Sequence, residues 1–419
     1  MSKLDTTSVF STGRLESLVR EFAAIGADPG GGVSRLAFSV EDLMARSRIK
    51  EIMSQDLGLD VRVDPWANII GRRPGLDPEA PVIMTGSHLD TVRQGGWFDG
   101  AAGVLGAVEV FRALNALGVR TKHPLELVVF TAEEPNDFGL STIGSRGMAG
   151  RLRPEDIKGV RDANGQELLD SLIRFGGDPD RVQGAERHPP NIKAFVEIHN
   201  EQMDHLERSG KDIGIVRGVT GIQRIRLTIR GQSGHSGTTP MHERRDALVA
   251  AASVITKVHA LARKERGRAV ATVGHIFVSP NSINIIPGQV VLDLEIRSFS
   301  VSAIRRIEAG LQTHIEKVEK RYGVRLASET TYSIEPTIFS KDVRRAISKA
   351  CRKLGFSSME IVSMAGHDAN HMAGITRAGM IFVPSKKGLS HCPEEWTDPA
   401  QLIRGAEVLF HCLLELDKD

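Results

Sequence analysis

Residues 81–100 read PVIMTGSHLDTVRQGGWFDG. The apolar run Pro81–Met84 predicts a buried strand, and His88, Asp90 and Asp99 follow where that strand passes into loops. In an open α/β sheet, the carboxyl ends of parallel strands are the usual place for an active site. A histidine and two carboxylates, separated by glycines that let the backbone approach closely, indicate a divalent metal site.

Further potential ligands follow other apolar runs. Three runs predict strands that each end at or just before such a ligand. Leu125–Ala132 is followed by Glu133 and Glu134, Ala194–His199 ends on its histidine, and Met380–Pro384 is followed a few residues later by His391. Taken singly, a strand-end histidine or a pair of acids is more often structural than functional. Because the ends of parallel strands lie along one edge of a sheet, however, these residues meet there. The joint pattern predicts a site for two metal ions.

Composition excludes several classes of protein. A chain of 419 residues, with 41% hydrophobic and 25% charged side chains, indicates a globular protein of two domains. It has no apolar run of roughly eighteen residues, and MSKLDTTSVFSTGRLESL at the N-terminus lacks the apolar segment of a signal peptide. The 54 basic and 52 acidic residues give a net charge of +2, so we expect no nucleic-acid partner and no membrane. Three scattered cysteines favour a reducing, cytoplasmic location.

A second domain begins near Gly218, where the pattern changes. Gln223–Arg230 alternates polar and apolar residues, which predicts a strand with one exposed face. The elements predicted after it are a helix over 244–264, strands over 269–277 and 290–297, a helix over 302–321 and a strand over 324–331. This βαββαβ order is that of a ferredoxin-like sandwich. We therefore expect a discontinuous catalytic domain, 1–217 and 335–419, with 218–334 inserted as a lid.

Eight motifs carry a resemblance to a known family. In chain order between Gly86 and Thr397 they are GSHLDTV, GGWFDG, TAEE, EIHNEQ, GHSGTTPM, NIIPG, AGHDA and VPSKKGLSHCPEEWT. Together they resemble the N-carbamoyl-L-amino-acid hydrolases, allantoate amidohydrolases and ureidoglycolate or β-ureidopropionate amidohydrolases. These form a branch of the aminoacylase and glutamate-carboxypeptidase type of di-metal hydrolases. The interval of only eleven residues between His88 and Asp99 favours this branch over dipeptidases.

The resemblance implies a fold and a metal site. The fold is α/β: a di-metal exopeptidase-like catalytic domain with a mostly parallel central sheet, plus an inserted ferredoxin-like α+β lid and dimerisation domain. The implied metal ligands are His88, Asp99, Glu134, His199 and His391. Asp99 would bridge two divalent ions, with His88 and His199 completing one position and the other two ligands the second. This set has no thiolate, so it suits Zn²⁺ or Mn²⁺, and also Co²⁺ or Ni²⁺.

Two acids are expected to support catalysis. Glu133 matches the general base that later acts as general acid. Because Glu133 and Glu134 were placed at a strand end, their side chains are expected on opposite sides, one toward substrate and one toward metal. Asp90 matches the carboxylate that orients the His88 imidazole and fixes its tautomer.

Four residues match substrate contacts of the resembled family. Arg297 would hold the substrate's carboxylate with bidentate hydrogen bonds, and Asn284 would share that task. His235 would polarise the scissile carbonyl, and by family analogy it comes from the partner subunit of a homodimer formed through the lid domain. Gln202, within His199-Asn200-Glu201-Gln202, matches a further contact to a small-molecule substrate.

The implied activity is a metal-dependent amidohydrolase acting on linear amides. It would cleave the C–N bond of an N-carbamoyl amino acid or related ureido acid and release ammonia, carbon dioxide and the amino acid. The alternative on the same site is an N-acyl-amino-acid hydrolase or dipeptidase. A departure from the family pattern, Pro135-Asn136-Asp137 after the paired acids, leaves the leaving group open. A non-catalytic scaffold is disfavoured because every matched ligand is present.

Overall fold

The structure is a computed structural model that describes residues 9–182, 187 and 189–418. Its strands are β1 (Asp60–Val63), β2 (Ile69–Arg73), β3 (Val82–His88), β4 (Leu125–Phe130), β5 (Ile192–Asn200), β6 (Ile213–Val219), β7 (Gly221–Arg230), β8 (Gly234–His235), β9 (Ala269–Ser279), β10 (Ile285–Ile286), β11 (Gln289–Ser298), β12 (Arg325–Ile334), β13 (Thr337–Ile338), β14 (Ser358–Ser363) and β15 (Arg377–Val383). Its α-helices are α1 (Thr12–Ala24), α2 (Val40–Glu51), α3 (Ala101–Ala116), α4 (Ile143–Met148), α5 (Pro154–Ile157), α6 (Leu168–Arg174), α7 (His205–Ser209), α8 (Ala247–Lys264), α9 (Val301–Tyr322), α10 (Lys341–Leu354), α11 (Asp368–Met372) and α12 (Pro399–Leu416). Two compact units result: Val219–Thr337 forms the smaller one, and the remaining described residues form the larger one.

The larger unit is built on a nine-stranded sheet. Its order is β1-β2-β4-β3-β5-β15-β6-β13, with β14 beside β6. The central neighbours β4, β3, β5 and β15 are parallel, whereas β2 and β6 join them antiparallel. The central strands are almost wholly buried, which explains why they read as continuous apolar runs. The predicted mostly parallel sheet is therefore confirmed, although β4 ends at Phe130 rather than at Ala132.

Helix α3 lies against the strands that carry the candidate ligands. Its first turns contain small residues, and a Cβ atom at Gly103 would lie 2.3 Å from the carbonyl oxygen of Ile198. The absence of side chains therefore lets α3 approach β5 very closely. Because Asp99 immediately precedes this helix, the packing of α3 brings that carboxylate to the ends of β3 and β5.

The smaller unit has the arrangement of a ferredoxin-like sandwich. Its sheet has the order β12-β7-β11-β9, and all its neighbours are antiparallel. Alternate residues of β7 and β11 are buried in a core shared with α8 and α9, including Leu227 and Leu292. The other face of the sheet carries charged side chains. The role of this unit as lid and dimerisation domain stays a prediction.

Two further observations concern the whole of the described chain. Within residues 9–182, 187 and 189–418, no helix combines the length and the apolar character that crossing a bilayer requires. All three cysteines are free thiols, and Cys351 and Cys412 are buried in the core of the larger unit. Burial raises the pKa of the Cys351 thiol to about 11, which keeps it protonated and unreactive.

Candidate metal centre

The strand order brings the predicted ligands to one edge of the sheet. His88 is the last residue of β3, and His199 lies one residue before the end of β5. Glu134 follows β4 and His391 follows β15, which are the outer neighbours of those two strands. Between β4 and the acids, Ala132 adopts a left-handed conformation at φ 51°, which turns the chain out of the sheet. Four separate segments thus supply ligands to one place.

Asp99 stands at the centre of the site. Its Oδ1 lies 3.2 Å from His199 Nε2 and 3.9 Å from His88 Nε2. Its Oδ2 lies 3.1 Å from His391 Nε2, which is itself 3.2 Å from Glu134 Oε1. The ligand atoms form two groups, His88–Asp99–His199 and Asp99–Glu134–His391, each within 4.8 Å. One carboxylate oxygen faces each group, which is the arrangement of a bridging ligand.

Backbone carbonyls fix the tautomers of the two buried histidines. His88 Nδ1 lies 3.0 Å from the Asp90 carbonyl, and His199 Nδ1 lies 2.9 Å from the Asn200 carbonyl. Since a carbonyl oxygen only accepts, each Nδ1 carries the proton and each Nε2 keeps a lone pair. Both lone pairs face Asp99, so a cation is required between them. Without a metal the site attracts a proton: burial opposes it, yet Asp99 raises the pKa of His199 to about 9.

The carboxyl groups around the site have raised pKa values, so a nearby positive charge would stabilise their ionised forms. Burial raises the pKa of Asp90. Burial, together with neighbouring negative charges, raises the pKa values of Glu133, Glu134, Glu197, Asp368 and Glu395. At the second group, hydrogen bonds that the His391 imidazole donates to the Asp99 and Glu134 carboxylates raise the pKa of His391 to about 11. Imidazole and carboxylate donors around concentrated negative charge fit two divalent cations. The donor set therefore matches the metal centre that the family resemblance implies.

Gly100 makes room for the His88 imidazole. Its φ is 65°, in the left-handed region, and a Cβ atom there would lie 2.3 Å from His88 Cε1 and 2.4 Å from Nε2. Gly100 also donates its N–H to His199 Nε2 at 3.2 Å. Only glycine satisfies both the backbone conformation and the contact with the ring.

Glu133 lies beside the first ligand group. Its Oε2 is 3.8 Å from His88 Nε2, and its side chain is 11% exposed. Burial, followed by the charges of Glu134 and Asp368, raises its pKa well above the ordinary value. A raised pKa suits a group that must both accept and return a proton. The expectation that strand alternation separates Glu133 from Glu134 was wrong, because β4 ends before either residue and a turn places them.

Asp90 acts on the acids rather than on the imidazole. Its carboxylate accepts the backbone N–H of Glu134 at 3.0 Å and of Glu133 at 3.3 Å. Its Oδ1 lies 3.7 Å from His88 Nδ1, beyond hydrogen-bond distance, and its carbonyl holds that ring instead. The prediction that the Asp90 carboxylate orients His88 is corrected accordingly. The carboxylate fixes the turn on which both acids stand.

Gln202 contacts the bridging carboxylate. Its Nε2 donates to Asp99 Oδ2 at 2.9 Å, and its backbone N–H donates to Ser385 Oγ at 3.0 Å. The residue has a left-handed φ of 57°, which points its side chain back toward the ligand groups. This position at the metal centre is compatible with the predicted contact to substrate, which stays a prediction.

His235 and Asn284 lie together in the smaller unit. The short strands β8 and β10 pair, with His235 opposite Ile285, and Ser236 donates its N–H to the Asn284 carbonyl at 3.1 Å. His235 Nδ1 accepts the N–H of Gly237 at 3.0 Å, so its proton is on Nε2. That ring is exposed, and it offers an N–H donor of the kind that the predicted role requires.

Arg297 lies in the four-stranded sheet of the smaller unit, whereas β8 and β10 form a separate two-stranded sheet. It is the penultimate residue of β11, on the face away from α8 and α9, and its Nε donates to Glu295 Oε1 at 2.6 Å. The segment leading to His235 begins near the other end of β11, where Gly231 bonds to Gly288, just before Gln289. Eight residues of strand at about 3.3 Å each put the two ends roughly 26 Å apart. This length applies to β11 itself, and the sharing of a substrate's carboxylate between Asn284 and Arg297 stays a prediction.

The departure after the paired acids forms a compact turn. The Asn136 side chain accepts the Phe138 N–H at 3.1 Å, and the Phe138 ring packs edge-on against Phe38 with centroids 5.7 Å apart. Asp137 forms an exposed ion pair with Arg93 at 3.5 Å. Its charge is thus paired at the surface, where such pairs contribute little to stability.

Several residues of the site carried no functional prediction. Glu197 accepts the Ser87 hydroxyl at 2.7 Å, and His367 stacks edge-on against His199 with centroids 4.5 Å apart. Glu395 accepts the Asp99 N–H at 3.0 Å. The motifs AGHDA and CPEEW contain His367 and Glu395, but their spacing gives no sign that they lie behind ligands from other segments.

Comparison with known proteins shows which family the sequence matches. The family model "Peptidase family M20/M25/M40" matches residues 84–415. The chain belongs to this family. The match contains every predicted ligand and both acids, and the family implies metal binding.

Individual relatives show which members of the family the chain is similar to. The chain is 41% identical to an N-carbamoyl-L-amino acid amidohydrolase of Geobacillus stearothermophilus, over 96% of this chain and 98% of the relative. It is 35% identical to an allantoate amidohydrolase of Bacillus subtilis, over 94% and 95% respectively. An amidase of the hydantoinase/carbamoylase family from Burkholderia multivorans superposes with a TM-score of 0.89 at 34% identity, covering 98% of both chains. The resemblance stated from the motifs is confirmed.

Proposed function

We propose that this chain is a metal-dependent amidohydrolase that cleaves the C–N bond of an N-carbamoyl amino acid or related ureido acid. The observation that carries the proposal is Asp99, shared between the His88–His199 pair and the Glu134–His391 pair, with Glu133 beside it. The products are ammonia, carbon dioxide and the amino acid. Near-complete alignment with an N-carbamoyl-L-amino acid amidohydrolase supports this substrate class over N-acyl amino acids and dipeptides.

The metal ions contribute electrophilic chemistry. Two divalent ions, Zn²⁺ or Mn²⁺, would polarise the scissile carbonyl and lower the pKa of the attacking water when bound to these ligands. His88, His199 and His391 offer Nε2 atoms, and the carboxylates of Asp99 and Glu134 offer the oxygens. The absence of a thiolate from both groups favours these borderline and hard ions over soft ones.

Glu133 moves the proton. Its side chain is largely buried next to the first ligand group, and its pKa is raised by burial and by neighbouring acids. It takes a proton from the attacking water and returns it to the departing nitrogen. Asp90 holds the backbone N–H groups of Glu133 and Glu134, so both acids keep their positions while that proton moves.

Arg297 and His235 recognise the substrate. The Arg297 guanidinium binds the carboxylate that every proposed substrate carries, and Glu295 holds its Nε so that the remaining N–H groups keep one orientation. His235 donates from Nε2 to the carbonyl oxygen as negative charge develops there, and Asn284 stands next to it. Orientation by several fixed donors supplies much of the rate enhancement expected of such a site.

The separation of these residues supports a homodimer. Arg297 lies roughly 26 Å along β11 from Gln289, next to which the segment leading to His235 begins, and this length favours a site in which Arg297 and His235 come from different chains. Strand β9 is an edge of the small sheet and exposes Val270, Ile276 and Phe277. An exposed apolar edge strand is suited to pair with a second copy. The proposed dimer therefore forms through the smaller unit and completes the active site.

The three free thiols, two of them buried in the core, are compatible with the reducing cytoplasm proposed as the location of the enzyme.

Substrate and metal are tested together. The protein is stripped with a chelator and reconstituted separately with Mn²⁺, Zn²⁺, Co²⁺ and Ni²⁺. Ammonia release is then measured with N-carbamoyl-L-amino acids, allantoate, ureidoglycolate and β-ureidopropionate. Metal-dependent ammonia from one of these supports the proposal. If only N-acyl amino acids or dipeptides are cleaved, the proposed activity is wrong and the enzyme is an N-acyl-amino-acid hydrolase or dipeptidase.

Shared sites are tested by mixing inactive subunits. Arg297→Ala and His235→Ala are each expected to be inactive as homodimers. In a mixed C₂ dimer, one active site lacks both residues and the other has both. After random exchange of equal amounts, about half of the dimers are mixed and each has one complete site, so about a quarter of wild-type activity returns. Mixtures that remain inactive after subunit exchange would refute the shared site. Mixing Arg297→Ala with itself is the matched control.

A further inference from the structure

Glu395 connects the two segments that carry Asp99 and His391. Its Oε1 accepts the backbone N–H of Phe98 at 2.9 Å and of Asp99 at 3.0 Å. Its Oε2 accepts the Ser390 hydroxyl at 2.7 Å. One carboxylate is thus bonded to the backbone of the bridging ligand and to the neighbour of the second-group histidine. It sets the separation between the loops that hold them.

The surroundings of Glu395 are shaped for this carboxylate. The residue is only 3% exposed, and a Cβ atom at Gly96 would lie 2.1 Å from its Oε1. The ring of Trp396 packs edge-on against Phe98 with centroids 5.3 Å apart, which fixes the two loops on either side. Burying a second negative charge next to Asp99 costs folding free energy. Its presence there therefore calls for a reason other than packing.

The Ser390 hydroxyl provides that reason, because it has a single proton and two acceptors. Ser390 Oγ lies 2.7 Å from Glu395 Oε2 and 3.1 Å from Asp99 Oδ2. The shorter contact, to a carboxylate with no histidine partner, takes the proton. Asp99 Oδ2 faces His391 and already accepts from Gln202 Nε2 at 2.9 Å, so its other lone pair then stays open for a cation. A hydroxyl pointing the other way would cap the oxygen that must bind a cation.

We infer that Glu395 is a positioning residue for the second metal position: it anchors Asp99 through two backbone N–H groups and draws the Ser390 proton away from Asp99 Oδ2. The inference rests on the proposed function only in requiring that the Asp99–Glu134–His391 group binds a divalent cation. Glu395 touches neither substrate nor metal and acts through Asp99 and Ser390.

The Glu395→Gln substitution tests the charge with little change of shape. Its amide oxygen still accepts from the Phe98 and Asp99 backbone, but its NH₂ group donates to Ser390 Oγ. The Ser390 hydroxyl must then turn to Asp99 Oδ2. Binding of one of two metal ions should weaken about 10- to 100-fold, the range typical for residues that support a ligand. The melting temperature of the metal-free protein should not fall, since a buried charge has been removed.

Calorimetric titration of chelator-treated protein with Mn²⁺ separates the outcomes. Glu394→Gln, the exposed neighbour, removes the same charge and should bind two ions as the wild type does. Ser390→Ala should change affinity little. The double variant with Glu395→Gln and Ser390→Ala should recover to within about threefold of the wild type, because no hydroxyl remains to cap Asp99, as expected for coupled neighbours.

Two results would overturn the inference. The first is binding of both ions by Glu395→Gln with wild-type affinity, and the second is binding by the double variant that is as weak as that of Glu395→Gln alone. Failure of the wild-type protein to bind Mn²⁺, Zn²⁺, Co²⁺ or Ni²⁺ would instead refute the metal centre of the proposed function.

Discussion

Substituting Gly100 by alanine should disable the metal centre while leaving the fold intact. The left-handed backbone at φ 65° costs an alanine about 1–2 kcal/mol. The new Cβ would lie 2.3 Å from His88 Cε1, so the ring must retreat by roughly 1 Å to reach an ordinary contact distance. Metal–ligand distances tolerate only about 0.2 Å. We therefore expect at least about 100-fold weaker binding of the ion held by His88 and His199.

The matched control is Gly118, which follows the other end of α3. Its φ is 59° and a Cβ atom there would have no neighbour within 4 Å, so Gly118→Ala carries the backbone cost without the clash. Both variants should lower the melting temperature in chelator by a similar few degrees, about 2–4 °C per kcal/mol. Calorimetric titration with Zn²⁺ or Mn²⁺ should show one weakened ion in Gly100→Ala alone. Equal metal binding by the two variants would refute the assignment of His88 as a ligand.

Three other substitutions test separate parts of the site and fold. Glu133→Gln should lower kcat about 1000-fold with both ions still bound in calorimetry, and a near-native rate would exclude Glu133 as the base. Arg297→Lys should raise KM about tenfold for a carbamoyl amino acid but not for its carboxamide analogue, because lysine cannot bind a carboxylate bidentately; equal effects on both would contradict the role. Burial and then the Lys353 charge lower the pKa of His411 to about 4. Near pH 6.5 the unfolded chain therefore takes up a proton that the folded chain does not bind. The free energy of unfolding thus falls as the pH drops from about 6.5 toward 4. His411→Gln should remove about 2 kcal/mol of that loss at pH 4.5, measured by urea unfolding at pH 7 and pH 4.5; an unchanged pH dependence would contradict it.

The central strands were predictable because parallel sheets bury both faces. Each of β3, β4, β5 and β15 is rich in apolar residues and almost wholly buried, and each leads into a candidate ligand. The period-2 alternation of β7 similarly indicated where the smaller unit begins. Local patterns of this kind depend only on which face of an element is buried, so the sequence contains them directly.

Contacts between distant segments were not predictable in the same way. The turn at Ala132 depends on a left-handed residue that no pattern marks, and it invalidated the alternation argument for Glu133 and Glu134. Glu395 lies 296 residues from the Asp99 backbone it holds, so no spacing connects them.

The smaller unit enters and leaves the larger one through β6 and β13, which are adjacent strands of the same sheet. Adjacent strands lie about 5 Å apart, a gap that a short turn can bridge. Both ends of residues 219–337 therefore leave the sheet at neighbouring strands, so a short loop could connect β6 and β13 in place of the whole segment. The substrate contacts and subunit pairing proposed for residues 219–337 can then change while the candidate metal ligands, all of which lie outside this segment, stay the same.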